Sequence, residues 1–176
     1  MLKSNIIEDS NSPITSPLII VDYDNKISRP IVDYREVNKW IQDQEYPTPT
    51  FDQIIEQLKK CNIFSVFDLT KSFFNFKINK KCRYITAFIC EEGVYQFKRL
   101  PMGLKISPKV LQRFVNEIIK DYRWKCMNAY YDDLLTNSIG FNQHLIDVKI
   151  FFELIRKHNL KLKPSKCQLF RDKISF

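Results

Sequence analysis

Tyr130-Tyr131-Asp132-Asp133 places two adjacent carboxylates between a short apolar lead-in, Cys126 to Ala129, and a short apolar exit, Leu134 and Leu135. Apolar runs this short, broken by polar residues, read as strand, tight turn, strand, with the acids at the tip. Side chains alternate faces along a strand. A hairpin tip is therefore one of few geometries that offers both neighbouring acids, or one acid and a backbone carbonyl, to a single cation. Asp is also a common turn residue, and an Asp-Asp pair on its own reads first as a solvated turn. A third acid upstream changes that balance.

Ile63-Phe64-Ser65-Val66-Phe67-Asp68 is a buried strand that ends on a carboxylate. A charge at the end of such a run is unusual. Thr70 and Ser72 follow, so Asp68 reads equally as a cap or as a ligand. The chain between Asp68 and Asp132 holds a hairpin and a helix, enough to lay the two strands side by side and bring three carboxylates to one end. Three Asp side chains offer hard oxygens to two Mg²⁺ about 3.5–4 Å apart, as phosphoryl transfer to a nucleic-acid end requires.

The charge balance points the same way. Lys and Arg number 28 against 20 Asp and Glu, a formal charge of +8, which favours a polyanionic partner such as nucleic acid. Phe73, Phe74 and Phe76 follow Asp68 and offer either flat surfaces for a base or sugar or, for Phe74 and Phe76 by preference, core packing. With only 3 glycines no glycine-rich phosphate loop is available, so phosphate must be gripped by metals, Lys and Arg, or turn amides. The 5 cysteines form no C-x-x-C pair and are expected as free thiols in a reducing compartment. Residues 1–5 lack the apolar core of a signal peptide and no apolar run reaches membrane-spanning length. The expected location is intracellular, cytoplasmic or nuclear, with no membrane partner.

Along the chain, residues 4–17 are a proline-pinned lead segment, followed by strands at Leu18–Val21 and Pro30–Tyr34 around a polar turn at 22–28. Phe51, Ile54, Ile55 and Leu58 space one face of a helix ending at Lys59-Lys60. Tyr84–Ile89 and Val94–Lys98 form a hairpin through Gly93. A loop, Arg99–Leu104, leads to a helix with Ser107 as N-cap and Pro108 as first residue, striped by Val110, Leu111, Phe114, Val115, Ile118 and Ile119. Leu145, Val148, Phe152 and Ile155 space a further helix, and Ile174–Phe176 reads as the start of a strand.

These pieces, in order, resemble the fingers and palm of the reverse transcriptase domain of gypsy-like LTR retrotransposons and retroviruses. The likeness is carried by Ile6-Ile7-Glu8 with the Ser-Pro pairs after it, Val32-Asp33-Tyr34-Arg35-Glu36-Val37-Asn38, Tyr46-Pro47-Thr48-Pro49 and Phe64–Lys71. It continues through Thr86-Ala87-Phe88, Tyr95–Leu104, Ser107-Pro108, Tyr130–Asp133 and Leu160–Cys167. The resemblance implies an α+β fold, a right-hand polymerase fingers and palm, with an antiparallel palm sheet and helices packed on one face. It implies fingers at about 1–60 and 77–103 and palm at about 61–76 and 104–176.

The implied activity is RNA-directed DNA synthesis: two Mg²⁺, or Mn²⁺ in their place, held by Asp68, Asp132 and Asp133. Phe73 matches the aromatic gate under the sugar, which disfavours a ribonucleotide polymerase. Arg29 matches a fingers arginine on the triphosphate. Met102 lies in the loop beside nucleotide and template, and Lys166 in the segment where related polymerases keep a lysine that can protonate pyrophosphate. Implied partners are an RNA or DNA template with primer, dNTPs, and the other domains of a Pol polyprotein.

The chain also departs from the family pattern. Asp22–Lys26 stands in place of a lysine-rich fingers turn, Ser72 in place of a common glycine, and Asn75 in place of a common glutamine. Phe176 falls about where the primer-holding hairpin would begin, so that hairpin, the thumb, the connection and RNase H are expected to be absent. A non-catalytic nucleic-acid-binding remnant is the rival expectation.

Overall fold

The computed structural model describes residues 1–23, 26–47 and 50–174. In chain order the strands are β1 (Ile7–Asp9), β2 (Ser16–Tyr23), β3 (Lys26–Val32), β4 (Ile63–Asp68), β5 (Phe88–Cys90), β6 (Gly93–Phe97), β7 (Met127–Tyr130), β8 (Asp133–Ser138) and β9 (Gln168–Arg171). The helices are α1 (Arg35–Trp40), α2 (Phe51–Leu58), α3 (Ser107–Ile118) and α4 (Phe141–Lys157). Short 3₁₀ turns occupy Ser72–Asn75, Lys80–Thr86 and Pro164–Lys166. The chain divides into two compact units, Met1–Gln44 with Phe73–Ser107, and Glu45–Ser72 with Pro108–Phe176.

The first unit is built on a five-stranded sheet ordered β1-β6-β5-β2-β3. Its pairs are antiparallel except β2 with β5, which run parallel through Ser16–Phe88 and Pro17–Ile89. Ile6, Val32, Tyr34, Val37, Phe88, Phe97 and Leu104 form its core. Within it the Phe88 and Phe97 rings tilt together at 5.4 Å, and Phe74 stacks over Phe97 at 6.3 Å. Aromatic pairs of this kind add about 0.5–1.5 kcal/mol beyond the area they bury. The buried Tyr34 hydroxyl donates to the Thr86 carbonyl at 2.9 Å, and burial pushes its pKa up.

Two expectations for this unit are corrected. Both early strands are longer than their apolar cores, so most of the expected turn at 22–28 is strand, and residues 24 and 25 lie outside the described residues. The expected strand at Tyr84–Ile89 begins only at Phe88, because its first residues close a 3₁₀ turn. Asn79 Oδ1 caps the Lys81 amide at 3.1 Å, and Thr86 Oγ1 donates to the Arg83 carbonyl at 2.7 Å. The same hydroxyl oxygen accepts from the Phe97 amide at 2.9 Å, a side-chain bond that competes with strand geometry.

The second unit carries a four-stranded antiparallel sheet ordered β7-β8-β4-β9. Phe67 on β4 is fully buried and stacks on Phe151 of α4 at 4.0 Å, with Phe152 edge-on at 5.6 Å. Burying such a ring contributes about 1.5–3 kcal/mol. Helix α2 opens with a capping box in which Thr50 and Gln53 satisfy each other's amides. Its Ile54 is buried while Ile55 is exposed, so the inward stripe is narrower than the spacing predicts.

α4 is rotated from the expected face. Its inward residues are His144, Asp147, Val148, Phe151 and Ile155, while Leu145 and Phe152 are 53% and 40% exposed. The rotation has a chemical cause. Ser138 Oγ donates to Asp147 Oδ2 at 2.6 Å, so it can only accept from His144 Nδ1 at 2.9 Å. Ser65 Oγ accepts from the Phe170 amide at 3.1 Å and meets His144 Nε2 at 2.8 Å; with burial favouring the neutral ring, the serine proton is the donor there. The ring is then the Nδ1–H tautomer, and a polar pair shares the buried face with Val148, Phe151 and Ile155.

The C-terminal strand is also placed differently. It is Gln168–Arg171, paired with β4 through an irregularity between Phe64 and Val66. Ile174 is outside any strand, and residues 175 and 176 lie outside the described residues. All five cysteines are free, as expected. No helix among the described residues is long and apolar enough to cross a membrane.

Candidate active site

The β4–β8 ladder runs in unbroken register from Ile63–Ser138 to Asp68–Asp133. The two acids therefore close the same end of two adjacent strands. β7 and β8 are joined by a two-residue turn, Tyr131-Asp132, with Tyr130 opposite Asp133. A right-handed twist demands a left-handed residue at the first central position of such hairpins, and Tyr131 takes it with φ 55°. For a bulky residue that conformation costs on the order of 1–2 kcal/mol.

The strain is held by Gln112, fully buried on α3. Its Oε1 accepts from the Tyr131 amide at 2.7 Å, and its Nε2 donates to the Ala129 carbonyl at 3.0 Å and to Asn116 Oδ1 at 3.0 Å. Asn116 passes the chain on to the Tyr46 hydroxyl at 3.1 Å. Gln112 did not figure among the expected site residues. The available signal is that Gln112 and Asn116 lie four apart on the buried side of a helix, where polar residues need a reason.

The segment after α4 completes the site. The Thr70 amide donates to the Lys161 carbonyl at 2.7 Å and the Lys163 amide to the Asp68 carbonyl at 2.9 Å, which lays 161–163 along the end of β4. The Pro164–Lys166 turn then delivers Lys166 Nζ to Asp68 Oδ2 at 2.7 Å. The Asp132 carbonyl accepts from the Leu69 amide at 3.4 Å and ties the hairpin tip to the same place.

Charge is unevenly shared here. Asp133 is exposed as a residue, yet local desolvation raises its pKa, and the neighbouring Asp132 and Asp68 carboxylates raise it further against the opposing pull of Lys166. Lys166 is pushed up by its bond to Asp68 and by the field of all three acids. Among the described residues no three acidic, His or Cys side chains converge at metal-binding distance. The backbone gathers the carboxylates at one strand end, and Asp68 is engaged by the lysine. As a donor set they fit a divalent cation: the ligands are hard oxygens, and their mutual repulsion is what such an ion relieves.

The remaining expected residues belong to the other unit. Phe73 is half-buried on the Ser72–Asn75 turn, and Met102 is exposed at the tip of the 99–103 loop. Arg29 pairs through its backbone with Val21, and its side chain lies outside the described residues. Arg35 is committed to Asp33, with Nε and Nη2 on the carboxylate at 3.0 and 2.6 Å.

The fold defined by these units is that of polymerase fingers and palm. It is similar to that of the foamy viral protease-reverse transcriptase solved with an RNA/DNA hybrid, with TM-score 0.91 and 24% identity over 99% of this chain and 23% of that one. Residues 21–176 match the reverse transcriptase (RNA-dependent DNA polymerase) family, and the chain belongs to it. Relatives include the retrovirus-related Pol polyproteins of Drosophila melanogaster transposons 297 and 412, 32% and 34% identical over 100% of this chain. The chain spans 17% and 15% of their respective lengths.

Proposed function

We propose that this chain is the nucleotidyl-transfer portion of an RNA-directed DNA polymerase from a retroelement Pol polyprotein. The observation that carries the reading is the Asp68–Asp133 rung with Asp132 at the adjoining tip and Lys166 on Asp68. Asp68, Asp132 and Asp133 would hold two Mg²⁺, or Mn²⁺, which when bound supply Lewis-acid activation of the primer hydroxyl and charge stabilisation of pyrophosphate. The protein's own part is to fix three carboxylates on rigid strand ends and to keep an ammonium beside them. The reaction joins the primer 3′-oxygen to the α-phosphorus of a dNTP and breaks the bond to pyrophosphate. In this reading Lys166 gives a proton to that leaving group.

In this reading the second unit is palm and the first is fingers, which supply Arg29 for the triphosphate, Phe73 beneath the sugar and Met102 beside the nucleotide. The partners are a primed RNA or DNA template, dNTPs and the neighbouring Pol domains. The excess of basic residues favours the polyanion, and five free thiols suit a reducing intracellular compartment. A second reading, a nucleic-acid-binding remnant without synthesis, draws on Asp22–Lys26 standing in place of a lysine-rich fingers turn.

Primer extension on an RNA template with Mg²⁺ and dNTPs separates the two. Synthesis by the wild type and none by Asp132→Asn supports the polymerase. Salt-sensitive binding without synthesis, by this chain and by a longer piece of the polyprotein alike, supports the remnant; synthesis surviving Asp132→Asn overturns the site.

A further inference from the structure

The loop that carries Met102 is held from three sides, and one of the holds comes from a residue with no assigned part in the reaction. Ser107 Oγ donates to the Pro101 carbonyl at 2.7 Å and fixes the loop's near side. The Tyr34 ring closes on Gly103, where a β-carbon would stand 3.3 Å from Tyr34 Cδ2 and where φ of 95° favours glycine. The third hold is Asn38 on α1. Its Nδ2 donates to the Gly103 carbonyl at 2.8 Å while its Oδ1 accepts from the Lys105 amide at 2.9 Å.

That amide pair imitates a strand. One side chain satisfies a carbonyl and an amide two residues apart, which fixes the rotation of the backbone between them and so the direction in which Met102 and Gly103 are presented. Asn is the side chain suited to this, because a donor and an acceptor sit on one short planar group. Asn38 is itself anchored, since its amide donates to the Tyr34 carbonyl at 2.8 Å. The same Tyr34 packs on Gly103 and bonds the Thr86 carbonyl, so the loop is referred to the core of its unit. The amides of Met102 and Gly103 have no partner among the described residues and are free to meet a ligand.

We infer that Asn38 is a positioning residue for nucleotide selection: it sets the Met102–Gly103 backbone against the incoming dNTP and its template base. This rests on the polymerase reading above. Loss of the clamp displaces groups that touch substrate, not the carboxylates that carry the chemistry. The effect therefore falls on KM for dNTP and on discrimination between correct and incorrect dNTPs, with kcat for the correct one changed far less.

Two variants and two readouts test it. Asn38→Ala removes both bonds. Asn38→Asp keeps an acceptor for the Lys105 amide but turns a carboxylate oxygen toward the Gly103 carbonyl. In hydrogen exchange, Lys105 should lose protection in Asn38→Ala and keep it in Asn38→Asp. In primer extension, both should raise KM for dNTP about tenfold and narrow discrimination against mispaired dNTPs, with thermal midpoints near wild type. Unchanged Lys105 exchange in Asn38→Ala overturns the clamp whatever the activity. An opened clamp with unchanged KM and discrimination overturns the inference and leaves the polymerase reading intact. A wild type that never extends a primer overturns that reading, and the inference with it, even where the exchange result holds.

Discussion

Asp68 and Asp133 stand directly opposite each other on the last rung of the β4–β8 ladder, and among the described residues Lys166 bonds only the first of them. Like charges facing across an antiparallel pair are destabilising, and they persist where the sheet around them over-determines their place. Here Phe67, Leu134 and Leu135, each buried, hold the strands in that register.

Under the polymerase reading, this arrangement sets stability against activity at Asp133. Its folded pKa is raised, so the stability linked to its protonated form is present below the unfolded value and lost as pH rises through the folded one. Near neutral pH the ionised group is therefore a net cost, discounted by its exposure to below about 1 kcal/mol. Asp133→Asn should raise the thermal midpoint by about 1–3 °C while lowering primer extension by at least about a thousandfold. Calorimetry beside an extension assay checks both, and a lowered midpoint would show that the carboxylate stabilises the fold.

The hairpin tip depends on Gln112. Gln112→Leu leaves the Tyr131 amide and the Ala129 carbonyl without their partner and leaves Tyr131's left-handed backbone unsupported. The expected loss is about 2–4 kcal/mol. Gln112→Glu keeps the acceptor but loses both donors and buries a charge, so it should be no better than Gln112→Leu. Urea unfolding measures the first effect, and extension below the midpoint measures displacement of Asp132. Full activity in a folded Gln112→Leu protein would show that the turn holds itself.

Much of this is legible in the sequence. The strand ending on Asp68 and the hairpin around Asp132-Asp133 follow from short apolar runs bounded by polar residues, and both fall as that pattern predicts. What stayed hidden was polar and tertiary. Apolar spacing put Leu145 and Phe152 inward on α4, because hydropathy cannot see that Ser65 and Ser138 satisfy His144 and Asp147 in the core. β9 has little apolar signature, since Gln168, Leu169 and Arg171 are exposed along it, and its strand character comes from pairing with β4. The Lys80–Thr86 turn contradicts its local β propensity because one hydroxyl, that of Thr86, bonds both its own turn and β6.

The cysteines should react in an order set by their surroundings. Cys126 has its thiol pushed up to about 12, by burial first and then by the Asp147 carboxylate. At pH 8 its thiolate fraction is on the order of 10⁻⁴, against an exposed Cys82. Alkylation followed by mass spectrometry should label Cys82 first and Cys126 last, because the half-buried Cys126 holds so little thiolate. Labelling of Cys126 as fast as Cys82 in folded protein would contradict the raised pKa of that thiol.

His144 gives the fold a pH dependence of defined sign. It is enclosed by Ser65 of β4, Ser138 of β8, Asp147 of its own helix and the edge of the Phe170 ring at 5.1 Å. Burial lowers its pKa, and Asp147 opposes that shift without cancelling it. A histidine with a depressed folded pKa binds its proton more readily when unfolded. Stability is therefore unaffected above about pH 6.5, falls as pH drops through that unfolded value, and levels off below the folded one. Each unit separating the two costs about 1.4 kcal/mol. His144→Gln should be less stable than wild type at pH 7 by about 1–3 kcal/mol, because Ser65 and Ser138 lose a matched partner. It should lose less than wild type does between pH 7 and pH 5, since carboxylate titration is common to both proteins and the imidazole to one. Urea unfolding of the pair at both pH values decides it: equal losses would mean that His144 titrates in the fold as it does in the unfolded chain, and that the neutral tautomer is not what the serines hold in place.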